Sequence, residues 1–161
     1  EMLRSLVGSE MCIRDSEDFV LAVRRDHPLA ARRSVSWEEL SGERFMTVAK
    51  ESGNRLLIDD ALAKSGKRTV SAFEVSHVMT LLGLVEAGLG VAAVPQLAMP
   101  PAGHATLAGV KLEHPRVTRS LGLISRRGRP LAPAAQQLYN LIHQAGKSAK
   151  RGPSKQPETA P

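Results

Sequence analysis

The stretch LVEAGLGVAAVP, residues 84–95, decides the fold. It contains GLGVAA, residues 88–93, which satisfies the pattern G-x-G-x-x-A found in the phosphate-binding turns of dinucleotide-binding proteins. That pattern binds phosphate only when the glycines follow a strand and open a helix, because backbone N–H groups and the positive end of the helix dipole must face the pyrophosphate. The elements on either side of Gly88 therefore decide what the glycines do.

The elements on either side predict a helix before the glycines and a strand after them. Residues up to Val85 are apolar nearly all round, which predicts a helix buried on several sides, and Ser76 is placed to cap its start. Gly88 ends the helix as a residue that adopts the left-handed conformation, and residues 90–94 predict a strand closed by Pro95. This order is the reverse of a phosphate-binding turn, so we interpret GLGVAA as a helix end.

The rest of the chain alternates strands with helices. Short apolar runs predict strands, which we place at residues 19–23, 44–48, 69–73, 110–112 and 117–125. Apolar residues at helical spacing, with capping residues and glycine stops, predict helices, which we place at residues 36–40, 55–64 and 131–144. The alternation predicts an α/β fold with a largely parallel sheet.

Composition excludes several classes of protein. With 161 residues, 42% apolar and 24% charged, the chain has the composition of a soluble globular domain. The net charge of +6 supports nucleic-acid contact only weakly, because half of it lies in residues 147–161. Cys12 is the sole cysteine, which excludes an internal disulfide and a cysteine-based zinc site. No apolar run reaches the roughly 18 residues of a membrane span, so we expect no membrane partner.

Four stretches in order resemble the C-terminal half of LysR-type transcriptional regulators. They are FVLAVRRDHPLA (19–30), WEELSGERFM (37–46), LVEAGLGVAAVP (84–95) and VTRSLGLISRRGRPLAPAAQQLYNLI (117–142). The resemblance runs from about residue 17 to about residue 144 at the family's spacings. It implies an α/β regulatory domain like a type 2 periplasmic binding protein, with two subdomains and a small-molecule effector in the cleft between them.

The resemblance also implies a division of the chain. Residues 31–113 would form the second regulatory subdomain, and residues 17–30 and 114–144 would form part of the first. We expect residues 1–16 to be a non-native leader and the basic residues 145–161 to be disordered. The resemblance implies that DNA is contacted only through an N-terminal helix-turn-helix that this chain lacks, in a cytoplasmic homodimer or homotetramer.

The resemblance places effector contacts on the turn after the first strand of the second subdomain and at the start of the apolar helix. The positions are Ala49, Lys50, Ser52, Gly53, Asn54, Glu74, Val75 and Ser76. Independently, two helix N-termini preceded by short polar residues offer N–H groups and hydroxyls to a carboxylate.

Each of these side chains also has a plainer interpretation. In this interpretation Ser52 and Ser76 cap helices and contact no ligand. Lys50 could attract an anionic effector or be ordinary surface. Glu74 could bind an effector amine or face water. The sequence leaves these alternatives open, with Ser52, Asn54 and Ser76 the strongest candidates for contact.

The sequence contains no constellation typical of an enzyme. Its five histidines lack a glutamate or cysteine at metal-ligand spacing, so we interpret all of them as structural or exposed; they are His27, His77, His104, His114 and His143. Motifs of serine and zinc hydrolases are absent, and Ser52 has no evident base. We therefore predict a non-enzymatic sensor without metal or cofactor. An extracytoplasmic solute-binding protein of the same fold is the alternative, and a nucleotide-dependent oxidoreductase is disfavoured by the order of elements around GLGVAA.

Overall fold

A computed structural model of the chain describes residues 9–11, 15–68, 70–126 and 128–149. These residues belong to two units. Residues 16–119 form one, which we call the lobe, and residues up to 15 together with those from 120 onward form the other.

The described elements alternate much as the sequence predicts. The strands are β1 (Ser9–Met11), β2 (Asp15–Arg24), β3 (Ser34–Ser36), β4 (Phe45–Val48), β5 (Phe73–Val75), β6 (Val91–Pro95), β7 (Leu107–Glu113), β8 (Thr118–Leu121) and β9 (Ile124–Arg126). The α-helices are α1 (Gly53–Lys64), α2 (Val78–Glu86) and α3 (Pro133–Ala149). Short 3-10 helices cover Pro28–Ala31, Trp37–Gly42 and Gln96–Ala98.

The lobe is built on a mixed sheet in the order β3-β7-β2-β6-β4-β5, with β8 also paired to β2. β4 runs parallel to both β5 and β6, and β3 runs parallel to β7. β2 lies in the middle and is antiparallel to β6 and β7. The prediction of a largely parallel sheet is therefore wrong at its centre, because an apolar run buried on both faces does not reveal the direction of its strand.

Helices cover both faces of this sheet. Successive side chains of a strand point to opposite faces, so β2 contributes to two separate cores. The core on the α1 face includes Phe19, Leu21, Val23, Ile58 and Leu62. The core on the α2 face includes Val20, Ala22, Leu81, Leu82 and Val85. The lobe therefore has three layers, with α1 and α2 on opposite sides of the sheet.

The glycines of GLGVAA close α2 and open β6, as the sequence predicts. Gly88 follows the end of α2 with a φ of +79°. Gly90 has a φ of +157°, and a Cβ placed there would lie 2.1 Å from the backbone oxygen of Arg44. These glycines serve chain reversal and a close approach of two backbone segments, and no helix starts beside them. The structure thus confirms that GLGVAA is not a phosphate-binding turn.

Two predictions around α2 are wrong. The strand predicted at 69–73 is β5, Phe73–Val75, because only residues aligned with Met46–Val48 of β4 can join the ladder, and Thr69 lies outside the described residues. Helix α2 is buried on one side only. Leu81 and Val85 are fully covered, whereas Met79 is 70% exposed.

Element ends differ from the predictions in several further places, and α1 begins at Gly53 where residue 55 was predicted. The strand predicted at 110–112 extends over β7, and the one predicted at 117–125 is broken at Gly122 into β8 and β9. Helix α3 continues to Ala149, so residues 145–149 are helical where we expected disorder; residues 150–161 lie outside the described residues. In the expected leader, residues 9–11 form β1, which pairs with β9, while residues 1–8 and 12–14 lie outside the described residues.

The predicted subdomain border at residue 31 does not appear in the structure. Residues 17–30 were expected to belong with 114–144, but β2 supplies the central strand of the lobe and packs with 31–113. The reason is that the run at 19–23 is apolar on both faces and is buried by both α1 and α2.

Candidate functional site

The starts of α1 and α2 lie at one edge of the sheet. β4 and β5 are parallel neighbours, and their last residues, Val48 and Val75, are paired in register. Beyond them, the backbone N–H of Ala49 donates to the carbonyl of Val75 at 2.8 Å. From this edge the chain leaves β4 for α1 on one face and β5 for α2 on the other. We call residues 49–54 and 74–78 the helix-start edge; ligands of open α/β sheets bind at such a place, outside the carboxyl ends of strands where successive connections diverge.

Helix α1 begins without a side-chain cap. Ser52 occupies the N-cap position with extended backbone, but its side chain makes no capping hydrogen bond. Its backbone N–H donates to the carbonyl of Ala49 at 3.0 Å, and its carbonyl accepts the first helical bond, from Leu56 at 3.1 Å. The N–H groups of residues 53–55 therefore have no carbonyl partner within the helix.

Helix α2 also begins without a side-chain cap, and one residue later than predicted. The N-cap is His77, not Ser76, and the His77 side chain makes no capping hydrogen bond. Ser76 is exposed in the link between β5 and α2. Ser52 is therefore the N-cap residue of α1 but its side chain does not cap the helix, and Ser76 is not the N-cap of α2.

Glu74 is held by Arg55 in the first turn of α1. Arg55 is buried, and its Nη1 donates to Glu74 Oε1 at 3.1 Å and to the carbonyl of Val48 at 3.4 Å. Its Nε donates to both carboxylate oxygens of Asp59, at 2.9 and 2.8 Å. The hydrogen bond from Arg55, followed by one from the Ser71 hydroxyl, lowers the pKa of Glu74 below its usual value. Glu74 therefore fastens β5 to α1 instead of standing free for an effector amine, and Lys50 is exposed beside it.

This lowered pKa has a testable consequence for stability. A carboxyl group with a folded-state pKa below its usual 4.5 stabilises the fold at neutral pH and loses that effect as pH falls through the lowered value. We expect Glu74→Gln to lower the melting temperature at pH 7 and the difference from wild type to shrink below about pH 4. Melting curves of both proteins between pH 3 and pH 7 measure this. The exposed neighbour Glu51 supplies the control Glu51→Gln. If the melting-temperature difference between Glu74→Gln and wild type grows on acidification, the predicted direction of the pH dependence is wrong.

The sequence did not reveal a second polar network that reaches the start of α1. Asn54 Oδ1 accepts a hydrogen bond from Arg119 Nη1 at 3.1 Å. Arg119 Nε donates to Glu17 Oε2, and the backbone N–H of Leu97 donates to Glu17 Oε1, both at 2.6 Å. The Glu17 side chain is 5% exposed and that of Arg119 is 27% exposed.

One sequence signal could have located this network. Extending the predicted strand two residues back from Phe19 places Glu17 on the same face as Phe19, Leu21 and Val23, which is apolar and therefore expected to be buried. A buried carboxylate requires a cationic or N–H partner. The partner itself was hidden, because Arg119 lies 102 positions away along the chain.

Three cavities of the lobe lie away from the helix-start edge. One of about 430 Å³ is lined by Trp37, Phe45 and Lys67 among others, and one of about 510 Å³ lies beside Arg24 and Gly88. A third of about 280 Å³ adjoins the last turns of α1. None of the eight predicted site residues lines these three cavities.

The histidines have separate surroundings. His27 Nδ1 accepts from the backbone of Leu29, and His104 Nδ1 accepts from the backbone of Leu107. Within the described residues, no three His, Cys, Asp or Glu side chains gather where they could hold a metal ion. No helix in that part of the chain has the length and apolar character needed to cross a membrane.

Comparison with known proteins places the chain in a family. Residues 14–147 match the family model of the LysR substrate binding domain. The chain is 47% identical over 127 residues to the HTH-type transcriptional regulator YbhD of Escherichia coli K12, covering 79% of this chain and 40% of YbhD. The chain thus spans about two fifths of the length of this relative. These findings do not favour the extracytoplasmic alternative.

Solved structures share the fold. The effector binding domain of QuiR in complex with shikimate superposes with a TM-score of 0.68 at 21% identity, covering 88% of this chain and 67% of that one. The CcmR regulatory domain of Synechocystis PCC6803 in complex with 2-PG gives a TM-score of 0.70 at 18% identity, covering 86% and 67%. The fold is therefore that of a type 2 periplasmic binding protein-like regulatory domain, and the chain belongs to the LysR family of transcriptional regulators as their substrate-binding domain.

Proposed function

We propose that the lobe senses a small anionic metabolite at the helix-start edge and that this sensing modulates transcription. The observation that carries the proposal is that α1 and α2 both begin at this edge of the sheet, after the paired ends of β4 and β5, without side-chain caps. Their unpaired N–H groups and dipoles attract negative charge, and a carboxylate supplies the acceptors that the missing caps would have supplied. The proposed effector site consists of the turn and the start of α1, together with the end of β5 and the link to α2: Ala49, Lys50, Ser52, Gly53, Asn54, Glu74, Val75 and Ser76. Among these, Glu74 contributes by holding the turn through Arg55.

Ligands of relatives support the charge of this proposed effector. Shikimate, bound to QuiR, and 2-PG, bound to CcmR, both carry a carboxylate. Of the charged side chains of the edge, Glu74 is paired with the guanidinium of Arg55 at 3.1 Å, and Glu51 is exposed. Lys50 adds an exposed positive charge nearby.

The proposed sensor acts through a population shift. A ligand that binds one arrangement of the regulator better than another shifts the balance by its differential affinity, and the coupling to DNA binding is reciprocal. We assign DNA contact to the helix-turn-helix part of the regulator and not to this chain. We propose a cytoplasmic homodimer or homotetramer that has no enzymatic activity of its own.

Calorimetric titration of the full chain tests the proposal. The probes are shikimate and benzoate, the latter being the effector bound to the BenM effector binding domain, each beside a neutral ester or amide of the same skeleton. We expect at least one carboxylate to bind and its neutral counterpart to bind about 10-fold more weakly, since a hydrogen bond to a charged group contributes roughly 1.5–3 kcal/mol.

Serine variants localise that binding. We expect Ser52→Ala and Ser76→Ala each to weaken it by about 10-fold. Ser65→Ala is the matched control, because Ser65 bonds to the carbonyls of Ala61 and Leu62 at the opposite end of α1. Equal affinity for carboxylates and neutral analogues, or equal loss in all three variants, would contradict the proposal.

A further inference from the structure

We infer that Glu17 and Arg119 are positioning residues that fix the side-chain amide of Asn54 as a hydrogen-bond donor, and that this orientation restricts the helix-start edge to ligands with an oxygen acceptor. The inference rests on the proposed function and adds to it the residues that determine which ligand chemistry is accepted. All three residues lie within the lobe, on β2, β8 and α1.

The orientation of the Asn54 amide follows from the chemistry of its partner. A guanidinium can only donate hydrogen bonds, so the atom of Asn54 that faces Arg119 Nη1 at 3.1 Å must be the carbonyl oxygen. The two N–H groups on Nδ2 are therefore turned away from Arg119. Without this partner, the amide could rotate and present either its oxygen or its nitrogen to a ligand.

Arg119 is in turn fixed by a carboxylate with no freedom of its own. Glu17 is 5% exposed and accepts two hydrogen bonds, one from Arg119 Nε and one from the backbone N–H of Leu97, both at 2.6 Å. Charge-assisted hydrogen bonds of this length are strong and directional. The guanidinium thus joins a buried anchor on one side to the Asn54 oxygen on the other.

The neighbouring groups of the edge have the same donor character. Asn54 is the second residue of α1, beside the unpaired N–H groups of the first turn. Of the two carboxylates of the edge, Glu74 is held by Arg55 and Ser71, and Glu51 is exposed. The first turn of α1 therefore presents donors together, which suits a carboxylate or phosphate oxygen.

The chain offers an internal control for testing this inference. Asn54 and Asn140 are its only two asparagines, so labelling with ¹⁵N-asparagine gives two pairs of side-chain amide signals. Asn140 lies on α3, in the other unit, where its oxygen accepts from Gln136. The full chain is titrated with sodium acetate as the probe, against sodium chloride at equal ionic strength. We expect the Asn54 amide protons to shift saturably with acetate and those of Asn140 to stay unchanged.

Variants separate positioning from simple contact. Arg119→Met keeps the length of the side chain but removes its donors, and we expect it to raise the acetate midpoint at least about tenfold. Uniformly ¹⁵N-labelled protein shows the backbone amides of residues 53–55 as well, and these supply the midpoint where Asn54 is itself changed. Asn54→Ala should raise the midpoint similarly, and the double variant should be no weaker than either single one, because Asn54 contributes only when Arg119 orients it. Arg119→Lys keeps a donor and should recover part of the affinity; it also serves if Arg119→Met does not fold.

The outcomes distinguish this inference from the proposed function. Two outcomes would overturn the positioning role and leave the binding site standing. One is an acetate midpoint that stays at the wild-type value in both Arg119 variants; the other is a double variant whose increase in midpoint is the product of the increases in Arg119→Met and Asn54→Ala. If acetate shifts neither the Asn54 amide nor the amides of residues 53–55 in the wild-type chain, the proposed site and the positioning role fail together.

Discussion

Replacing Gly90 by alanine should lower the melting temperature of the lobe, residues 16–119, by more than about 10 °C. A loss of roughly 3 kcal/mol is expected for a clash with backbone, and each kcal/mol shifts a domain of about 100 residues by about 4–8 °C. The added Cβ would lie 2.1 Å from the carbonyl oxygen of Arg44. That oxygen accepts the hydrogen bond of Val91 at 3.1 Å, so it cannot retreat without opening the junction of β4 with β6. The φ of +157° adds strain for any side chain.

A second glycine in the same region is the control for this result. Gly83 lies inside α2, and a Cβ there would meet no atom within 4 Å. Gly83→Ala should leave the melting temperature unchanged or raise it, because the higher helix propensity of alanine stabilises the fold by up to about 0.5–1 kcal/mol. Similar melting temperatures for the two variants would show that β6 does not approach Arg44 in the way described.

Removing the Glu17 carboxylate should be the second large effect. Glu17→Ala leaves a half-buried guanidinium without its anion and the N–H of Leu97 without its acceptor, so we expect a loss of about 2–3 kcal/mol in the free energy of unfolding. Urea unfolding followed by circular dichroism measures it. The adjacent residue is the matched control, because Asp18 pairs with Arg116, which is 62% exposed, and such a surface pair contributes roughly 0–1 kcal/mol. Equal losses in Glu17→Ala and Asp18→Ala would contradict the buried network.

The sequence was most informative where a local signal matched the local structure. Gly88 ends a helix because it adopts a positive φ, and the apolar run at 19–23 is a buried strand. Residues 49–52 of the predicted turn likewise lie directly between β4 and α1, whereas residues 53 and 54 already belong to α1; parallel pairing brings this turn next to Val75. These features depend on residues close together in sequence.

Features that depend on distant residues were missed for a physical reason. The antiparallel direction of β2 is set by strands that follow it by dozens of residues. The partners of Asn54 and Glu17 meet only when β2, β8 and α1 pack together, and no local pattern encodes that meeting. Ser76 satisfied the rule for an N-cap, yet parallel pairing carries β5 on to Val75, and α2 starts only after His77.

The most direct test adds a carboxylate ligand to the full chain in steps and follows the NMR signals of the backbone amides. We predict that the largest shifts fall on residues 53–55 and 78–80, the first turns of α1 and α2. Shifts concentrated instead around the cavity lined by Trp37 and Lys67, with the two helix starts unmoved, would contradict the claim that an anion binds at the helix-start edge.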